Sequence, residues 1–130
     1  MKIGFDVSQT GANKTGCGYF ADALICHLAQ IDKTYHYDLY PTFGLTYWDE
    51  NWRKTTRHIL QKNFRRGVAH SSYQTLEQFW RLTPIAEVEK RLGYPEIIHA
   101  NNFFCPAGLT RARLVYTLYD LSFMEYPEMT

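Results

Sequence analysis

The chain has 130 residues, the length of one domain with a buried core. Its formal net charge of +1 gives no indication of a nucleic-acid or acidic partner. Three cysteines without paired spacing exclude a disulfide framework and indicate a reducing compartment. The opening "MKIGFDVSQT" lacks the apolar core of a signal peptide, and no later stretch approaches the about 20 apolar residues of a membrane span. We therefore expect a cytoplasmic protein.

Strand and helix patterns alternate in the first part of the chain. Residues 2–7 alternate around apolar side chains at the start of the chain, where the central strand of an α/β sheet often lies. From Tyr19 an apolar period of three to four residues predicts a helix of about three turns. The aromatic run from Tyr35 predicts a second strand, ended by Pro41. The residues expected on the buried face of the helix are Phe20, Ala23, Leu24, Leu28 and Ile31.

The second half of the chain predicts further elements of the same sheet. We expect a short strand within "NFRRGVAHS" and a helix over "TLEQFWRL". Thr83 and Pro84 predict an N-cap and a first helical residue that restart this helix as far as Gly93. "EIIHA" and "RLVYTLYDLSF" predict two more strands.

This order predicts an α/β fold with a Rossmann-like, open, mostly parallel sheet flanked by helices. We expect a single domain over residues 1–130. No helix is predicted after the last strand. We therefore expect a fragment of a longer protein.

The stretch "KTGCGYFADAL" places two glycines at the predicted start of the first helix. "GCGYFA" fits the dinucleotide pattern G-x-G-x-x-G/A, with Asp38 about 20 residues further on. However, roughly eight residues separate the first strand from Gly16, and Asp38 falls early in its strand, so NAD binding is the weaker alternative. The remaining alternatives are a mobile loop at a crowded helix start, or free N–H groups at Gly18 and Tyr19 that face a phosphate.

Three motifs follow one another in a characteristic order. The first strand runs into "DVS" and then "TGCGY"; "IIHANNF" places His at the end of a strand and Asn three residues on; "TLYDLSF" precedes a Pro-Glu pair. Over nearly the whole chain they resemble the N-terminal half of group 1 glycosyltransferases, retaining family 4, which have the GT-B fold. Tyr119 departs from this pattern, since the family usually has His there.

The resemblance implies an enzyme that transfers a sugar, with retention, from a nucleotide sugar to a glycan or lipid-linked acceptor. This domain would hold the acceptor, and a C-terminal domain with a glutamate-pair motif would bind the donor. The implied catalytic residue is His99, and no metal or other cofactor is expected. The implied substrate-binding residues are Gly16, Cys17, Gly18, Tyr19, Asn102, Tyr119 and Asp120. We expect this chain alone to be inactive.

Each of these residues also has a structural interpretation. His99 and Asn102 can serve as a satisfied strand-end histidine and a residue that fixes a turn. Cys17 lies at a helix start, where thiols become reactive, but with no base evident nearby it is better explained as a small inert residue. The cysteines and histidines have no zinc-type spacing, so we predict no metal site.

Residues 49–73 form a basic stretch with six Lys or Arg against two acidic residues, a balance of 6 − 2 = +4. With Trp48, Trp52 and Phe64 it is interpreted either as a solvated face or as a peripheral contact with anionic lipid at the inner membrane face. Nucleic acid is not expected, because no recognition motif accompanies the charge. Two other classes of function remain open at this point, a non-catalytic α/β binding or regulatory module and a nucleotide-dependent oxidoreductase.

Overall fold

Five strands and four helices make up the regular structure of the described residues. The structure is a computed structural model that describes residues 1–44, 59–68, 72–102 and 104–125. In chain order the elements are β1 (Lys2–Asp6), α1 (Gly16–Ile31), β2 (His36–Tyr40), β3 (Phe64–Arg66), α2 (Tyr73–Leu82), α3 (Ile85–Arg91), β4 (Ile97–Ala100), β5 (Arg113–Tyr116) and α4 (Ser122–Glu125).

The five strands form one sheet in the order β3-β2-β1-β4-β5. Each of the four pairings is parallel, and β1 lies at the centre, with Gly4 opposite Asp38 on one side and Ile98 on the other. The predicted α/β class and the Rossmann-like parallel sheet are therefore confirmed. Because every strand runs the same way, the strands all end at one carboxyl edge, where open α/β sheets bind ligands.

Helices cover the two faces of the sheet with separate apolar clusters. On one face Ile25 and Ala29 of α1 pack with Phe5, Leu39 and other strand residues. On the other face Val88 of α3 and Leu92, the C-cap of α3, pack with residues of β2, β4 and the adjoining loops. The result is a three-layer arrangement in which each sheet face buries apolar area against helix.

Tyr40, at the end of β2, fills space left by two glycines. A Cβ on Gly4 would overlap the Tyr40 ring, and a Cβ on Gly67 would approach it to 3.0 Å. The Tyr40 hydroxyl donates to the carbonyl oxygen of Leu92 at 2.9 Å, and the side chain is fully buried. The ring thus fits because its two neighbours lack side chains.

Helix α1 starts earlier than predicted and buries a different face. It begins at Gly16, so the two glycines lie in its first turn. Of the predicted apolar stripe, Phe20 and Ile31 are 49 % and 76 % exposed and Ala23 is exposed too, so the prediction is wrong for these residues. Leu24 and Leu28 are partly buried and pack against the core, as predicted. The buried residues are instead Gly18, Ala21, Ile25 and Ala29. These residues are mostly small, so the helix axis can lie close to the sheet.

The helix break at Thr83 and Pro84 is confirmed, but the roles of the two residues differ from the prediction. Thr83 ends α2, since its N–H donates to the carbonyl oxygen of Phe79 at 3.1 Å. Pro84 is the N-cap of α3, and its carbonyl oxygen accepts from the N–H of Glu87 at 2.8 Å. A proline fits here because it has no N–H to donate to the preceding turn.

The last strand is shorter than predicted. The pattern "RLVYTLYDLSF" predicts a strand to Phe123, whereas β5 ends at Tyr116 and the short helix α4 begins at Ser122. The prediction that no helix follows the last strand is therefore wrong. The N–H of Thr117 still donates to the carbonyl oxygen of Ala100 at 3.0 Å, after which the chain leaves the sheet toward α1.

Part of the basic stretch lies outside the described residues, including Trp48, Trp52 and the cations before residue 59. The predicted short strand is confirmed as β3. Its Phe64 is buried and stacks on Tyr37 with ring centroids 4.2 Å apart, so the proposed contact of this ring with lipid is wrong. Arg65 pairs with the carboxylate of Asp38.

Candidate functional site at the carboxyl edge

The carboxyl edge of the sheet brings the ends of β1, β4 and β5 next to the start of α1. The backbone N–H of Asn101, after β4, donates to the Asp6 carboxylate at the end of β1 at 3.1 Å. The hydroxyl of Tyr119, after β5, donates to the carbonyl oxygen of Cys17 in α1 at 3.3 Å. Residues of all three sequence motifs are therefore connected at one edge.

The first turn of α1 presents backbone donors. The N–H groups of Gly16, Cys17 and Gly18 have no hydrogen-bond partner among the described residues, and no side chain caps the helix from Thr15. The prediction of a free N–H at Tyr19 is wrong, because this N–H donates to the carbonyl oxygen of Thr15 at 2.8 Å. Three unpaired donors at the positive end of a 16-residue helix favour an anion.

The two glycines of this turn have different surroundings. A Cβ at Gly18 would overlap the carbonyl oxygen of Gln9, so Gly18 allows the helix to pack on the loop after β1. A Cβ at Gly16 would meet no atom within 4 Å among the residues described, apart from its chain neighbours and the backbone of its own helix. Gly16 therefore borders open space, and of the two it is the one that leaves room for a ligand.

Lys14 adds a cation next to this turn that the sequence did not single out. Its Nζ forms an ion pair with Asp22 at 3.1 Å and lies 5.4 Å from the centroid of the Tyr19 ring. The signal in the sequence was its position just before the glycines.

Asp6 is a buried carboxyl group that joins two loops. Its side chain accepts from the N–H of Ser8 at 2.9 Å and from that of Asn101 at 3.1 Å, and the residue is 1 % exposed. Burial raises the pKa of Asp6 to about 6, although these hydrogen bonds act in the opposite direction. Asp6 therefore connects the loop after β1 to the loop after β4.

His99 is half-buried near the end of β4. Its ring lies edge-on to Phe5, with centroids 4.7 Å apart, and its Nε2 is 3.0 Å from the hydroxyl oxygen of Thr117. Burial lowers the pKa of His99 below its ordinary value, so the ring is neutral at neutral pH. The ring is thus oriented by contacts from two neighbouring strand ends.

Asn102 is placed as a connector of loops. Its amide nitrogen donates to the Ser8 hydroxyl oxygen at 3.0 Å and to the carbonyl oxygen of Phe43 at 2.9 Å, and its oxygen accepts from the N–H of Phe104 at 2.7 Å. The side chain is 1 % exposed. Of the two alternatives for Asn102, this geometry favours the one that fixes a turn.

Tyr119 lies beside α1, where it forms an edge-on contact with Phe20 at a centroid distance of 5.7 Å. Burial, with the nearby Cys17 and Asp6, raises the pKa of Tyr119 to about 12. The hydroxyl is therefore a neutral donor near physiological pH. Asp120, the next residue, is exposed.

Asp38, the acidic residue of the dinucleotide alternative, is neutralised within the protein. Its carboxylate pairs with Lys2 Nζ at 3.0 Å and with Arg65, and these cations outweigh burial, so that its pKa is lowered. In β2 it lies two residues before the strand's end at Tyr40. Its carboxylate is therefore engaged in an ion-pair cluster with Lys2 and Arg65.

The fold defines an α/β protein with a parallel Rossmann-like sheet and a polar cluster at its carboxyl edge. Comparisons with protein-family models, curated proteins and solved structures found no match. Among the described residues no three His, Cys, Asp or Glu side chains are grouped to hold a metal ion, and the expected absence of a cofactor stays a prediction. No helix in the described ranges is long and apolar enough to cross a membrane.

Proposed function

We propose that this chain is the acceptor-side, N-terminal domain of a retaining glycosyltransferase that uses a nucleotide-sugar donor. Its acceptor is a glycan or a lipid-linked glycan, and its partner is a C-terminal donor-binding domain. The proposal includes a cytoplasmic location, with peripheral contact at the inner membrane face. It rests on the ordered sequence motifs and on the way in which the fold brings them together.

The observation that carries the proposal is the first turn of α1. Its three N–H groups at residues 16–18 have no partner within the part of the chain that the structure describes, and there is open space beside Gly16. Departure of a nucleoside diphosphate leaves negative charge on phosphate oxygens, and preorganised N–H donors stabilise such charge without reorganisation. The same turn would bind an acceptor phosphate equally well by this chemistry.

Tyr119 supplies a polar group beside this turn, and His99 supplies another at the same carboxyl edge, near the end of β4. A neutral imidazole orients a sugar hydroxyl through a hydrogen bond. The hydroxyl oxygen of Tyr119, whose hydrogen is directed to the Cys17 carbonyl oxygen, accepts from a sugar hydroxyl. Tyr119 stands where the resembled family has His, so in our proposal this position acts through a neutral hydroxyl group and carries no positive charge.

The exposed apolar side chains around β5 support the proposed contact with a second domain. Leu114, Val115 and Tyr116 are 40 %, 44 % and 37 % exposed, and Leu118 after the strand is 54 % exposed. A run of this kind favours protein contact over continuous exposure to water.

The test is sugar transfer by the full-length protein. Nucleoside diphosphate release is measured for a panel of nucleotide sugars with glycan and lipid-linked acceptors, and the anomeric configuration of the product is determined. We expect Gly16→Val to lower the rate at least about tenfold, since its side chain occupies the space beside the N–H groups. His99→Gln, which retains an N–H for Thr117, should also lower transfer.

Ala23→Val is the matched control, because Ala23 lies on the exposed side of the same helix. It should change neither transfer nor melting temperature appreciably. Normal transfer by Gly16→Val would contradict an anion site at α1. No release from any donor by the full-length protein would contradict the enzyme and favour a non-catalytic binding module.

A further inference from the structure

A chain of hydrogen bonds links His99 to the end of β1. His99 Nε2 is 3.0 Å from Thr117 Oγ1, and Thr117 Oγ1 is 2.8 Å from Asn101 Oδ1. The Asn101 amide nitrogen is in turn 3.0 Å from the backbone carbonyl oxygen of Asp6. Asn101 is 1 % exposed, so water does not substitute for these partners at the amide.

The direction of every bond in this chain is fixed by its last member. A backbone carbonyl only accepts, so the NH₂ group of Asn101 must face Asp6, and its Oδ1 must face Thr117. An amide oxygen also only accepts, so the Thr117 hydroxyl hydrogen points to Asn101. The lone pairs of the Thr117 oxygen are then left for His99, and Nε2 must carry the hydrogen of that bond.

We infer that Thr117 and Asn101 are positioning residues that hold His99 as its Nε2–H tautomer and leave Nδ1 as the ring nitrogen that accepts hydrogen bonds. No described residue bonds to Nδ1. This inference rests on the proposed function: Nδ1 accepts a hydrogen bond from a hydroxyl group of the sugar acceptor or donor. A protonated ring keeps the same Nε2–H bond, so a proton enters or leaves at Nδ1 without disturbing the chain.

The tautomer is measured directly by nitrogen-15 NMR on protein labelled at histidine. The protein has five histidines, and the His99 signals are assigned by their loss in His99→Gln. At a pH above the pKa of the ring, we expect Nε2 of His99 to show the protonated, pyrrole-like signal and Nδ1 the pyridine-like signal. No substrate is needed for this measurement.

Thr117→Val removes the hydroxyl with little change in shape, and Thr117→Ser retains it. A net hydrogen bond of ordinary strength biases a tautomer ratio about two- to tenfold, so Thr117→Val should move the ratio toward the Nδ1–H form by that factor. Thr117→Ser should restore the wild-type ratio. Thr34→Val, at an exposed threonine in the turn before β2, is the matched control and should leave the His99 signals unchanged.

A wild-type ring protonated at Nδ1, or the same ratio in wild type and Thr117→Val, would overturn the inference. In the full-length enzyme, Thr117→Val should lower kcat while Thr117→Ser retains it. If the tautomer is fixed but the full-length protein transfers no sugar, the role of Thr117 and Asn101 in holding the tautomer is supported and the proposed function is refuted. If transfer depends on His99 but not on Thr117, only the role of the hydrogen-bond chain in transfer is refuted.

Discussion

Glu89 offers the sharpest test of how α3 holds the start of β5. Its carboxylate accepts the backbone N–H groups of Thr110, Arg111 and Ala112 at 2.9, 2.9 and 2.8 Å, and the Thr110 hydroxyl at 2.9 Å. The residue is 6 % exposed. Replacement by Gln removes the negative charge. It also leaves a single amide oxygen as acceptor for the four hydrogen bonds that the two carboxylate oxygens accept in the wild type. We therefore expect Glu89→Gln to destabilise the domain.

The magnitude follows from the pKa of this group. The hydrogen bonds to the three amides and to Thr110 outweigh burial and lower the pKa of Glu89 from 4.5 to about 2. At 1.36 kcal/mol for each tenfold change, the charged form adds at most about 3 kcal/mol to the free energy of unfolding at neutral pH. Because an amide oxygen retains part of this bonding, we expect about 1 to 3 kcal/mol for the substitution.

The pH dependence gives the prediction its sign. A pKa that is lowered in the folded state stabilises above the unfolded value of 4.5, and this contribution is lost as the pH falls through about 2. Urea unfolding of wild type and Glu89→Gln should be measured at neutral pH and at about pH 3. The difference between their free energies of unfolding should be roughly half as large at the lower pH.

Glu87→Gln is the matched control, since Glu87 lies on the same helix and its carboxylate forms a half-exposed ion pair with Arg91 at 3.7 Å. It should change stability by less than about 0.5 kcal/mol. A Glu89→Gln effect that is equal at both pH values, or no larger than that of Glu87→Gln, would refute the reasoning.

Two further predictions concern stability. Gly18→Ala should lower the free energy of unfolding by about 1 to 3 kcal/mol, because the new Cβ would overlap the Gln9 carbonyl oxygen. Gly16→Ala should cause no such loss, so comparable melting temperatures for the two variants would contradict this packing of Gly18. The pKa of Asp6 is raised in the folded state from 3.8 to about 6. The contribution of this shift to the free energy of unfolding is therefore complete below pH 3.8 and is lost as the pH rises through about 6. Wild type should therefore weaken relative to Asp6→Asn over that interval in urea unfolding, and the opposite slope would contradict the assignment.

The sheet was predictable because its signals are local. The apolar opening of the chain, the aromatic run ended by Pro41 and "EIIHA" each indicate a strand without reference to the rest of the fold. The face of α1 was not predictable in this way. Phe20 and Ile31 have the right period for a core stripe, yet the helix packs through Gly18 and Ala21, and only the position of Gln9 in the fold shows why.

The candidate site was only partly visible in the sequence. Gly16, His99 and Tyr119 were singled out through motifs and stay predictions, whereas Thr117 and Asn101 were not considered. Their importance comes from a hydrogen-bond chain that crosses three strand ends, and no sequence period records such a chain. The end of β5 was misjudged for the same reason, since Tyr119 is drawn to α1 by a contact about a hundred residues away in the sequence.

The fit of Tyr40 between two glycines has a consequence for how this sequence can change over time. Gly4 and Gly67 come from opposite sides of β2 and from distant parts of the chain, yet both are constrained by the same ring. A side chain gained at Gly4 is harmful while the tyrosine is present and becomes tolerable once residue 40 is smaller, whereas loss of the ring alone leaves a cavity. The order in which such substitutions arise therefore matters, and the three positions are expected to evolve as a unit.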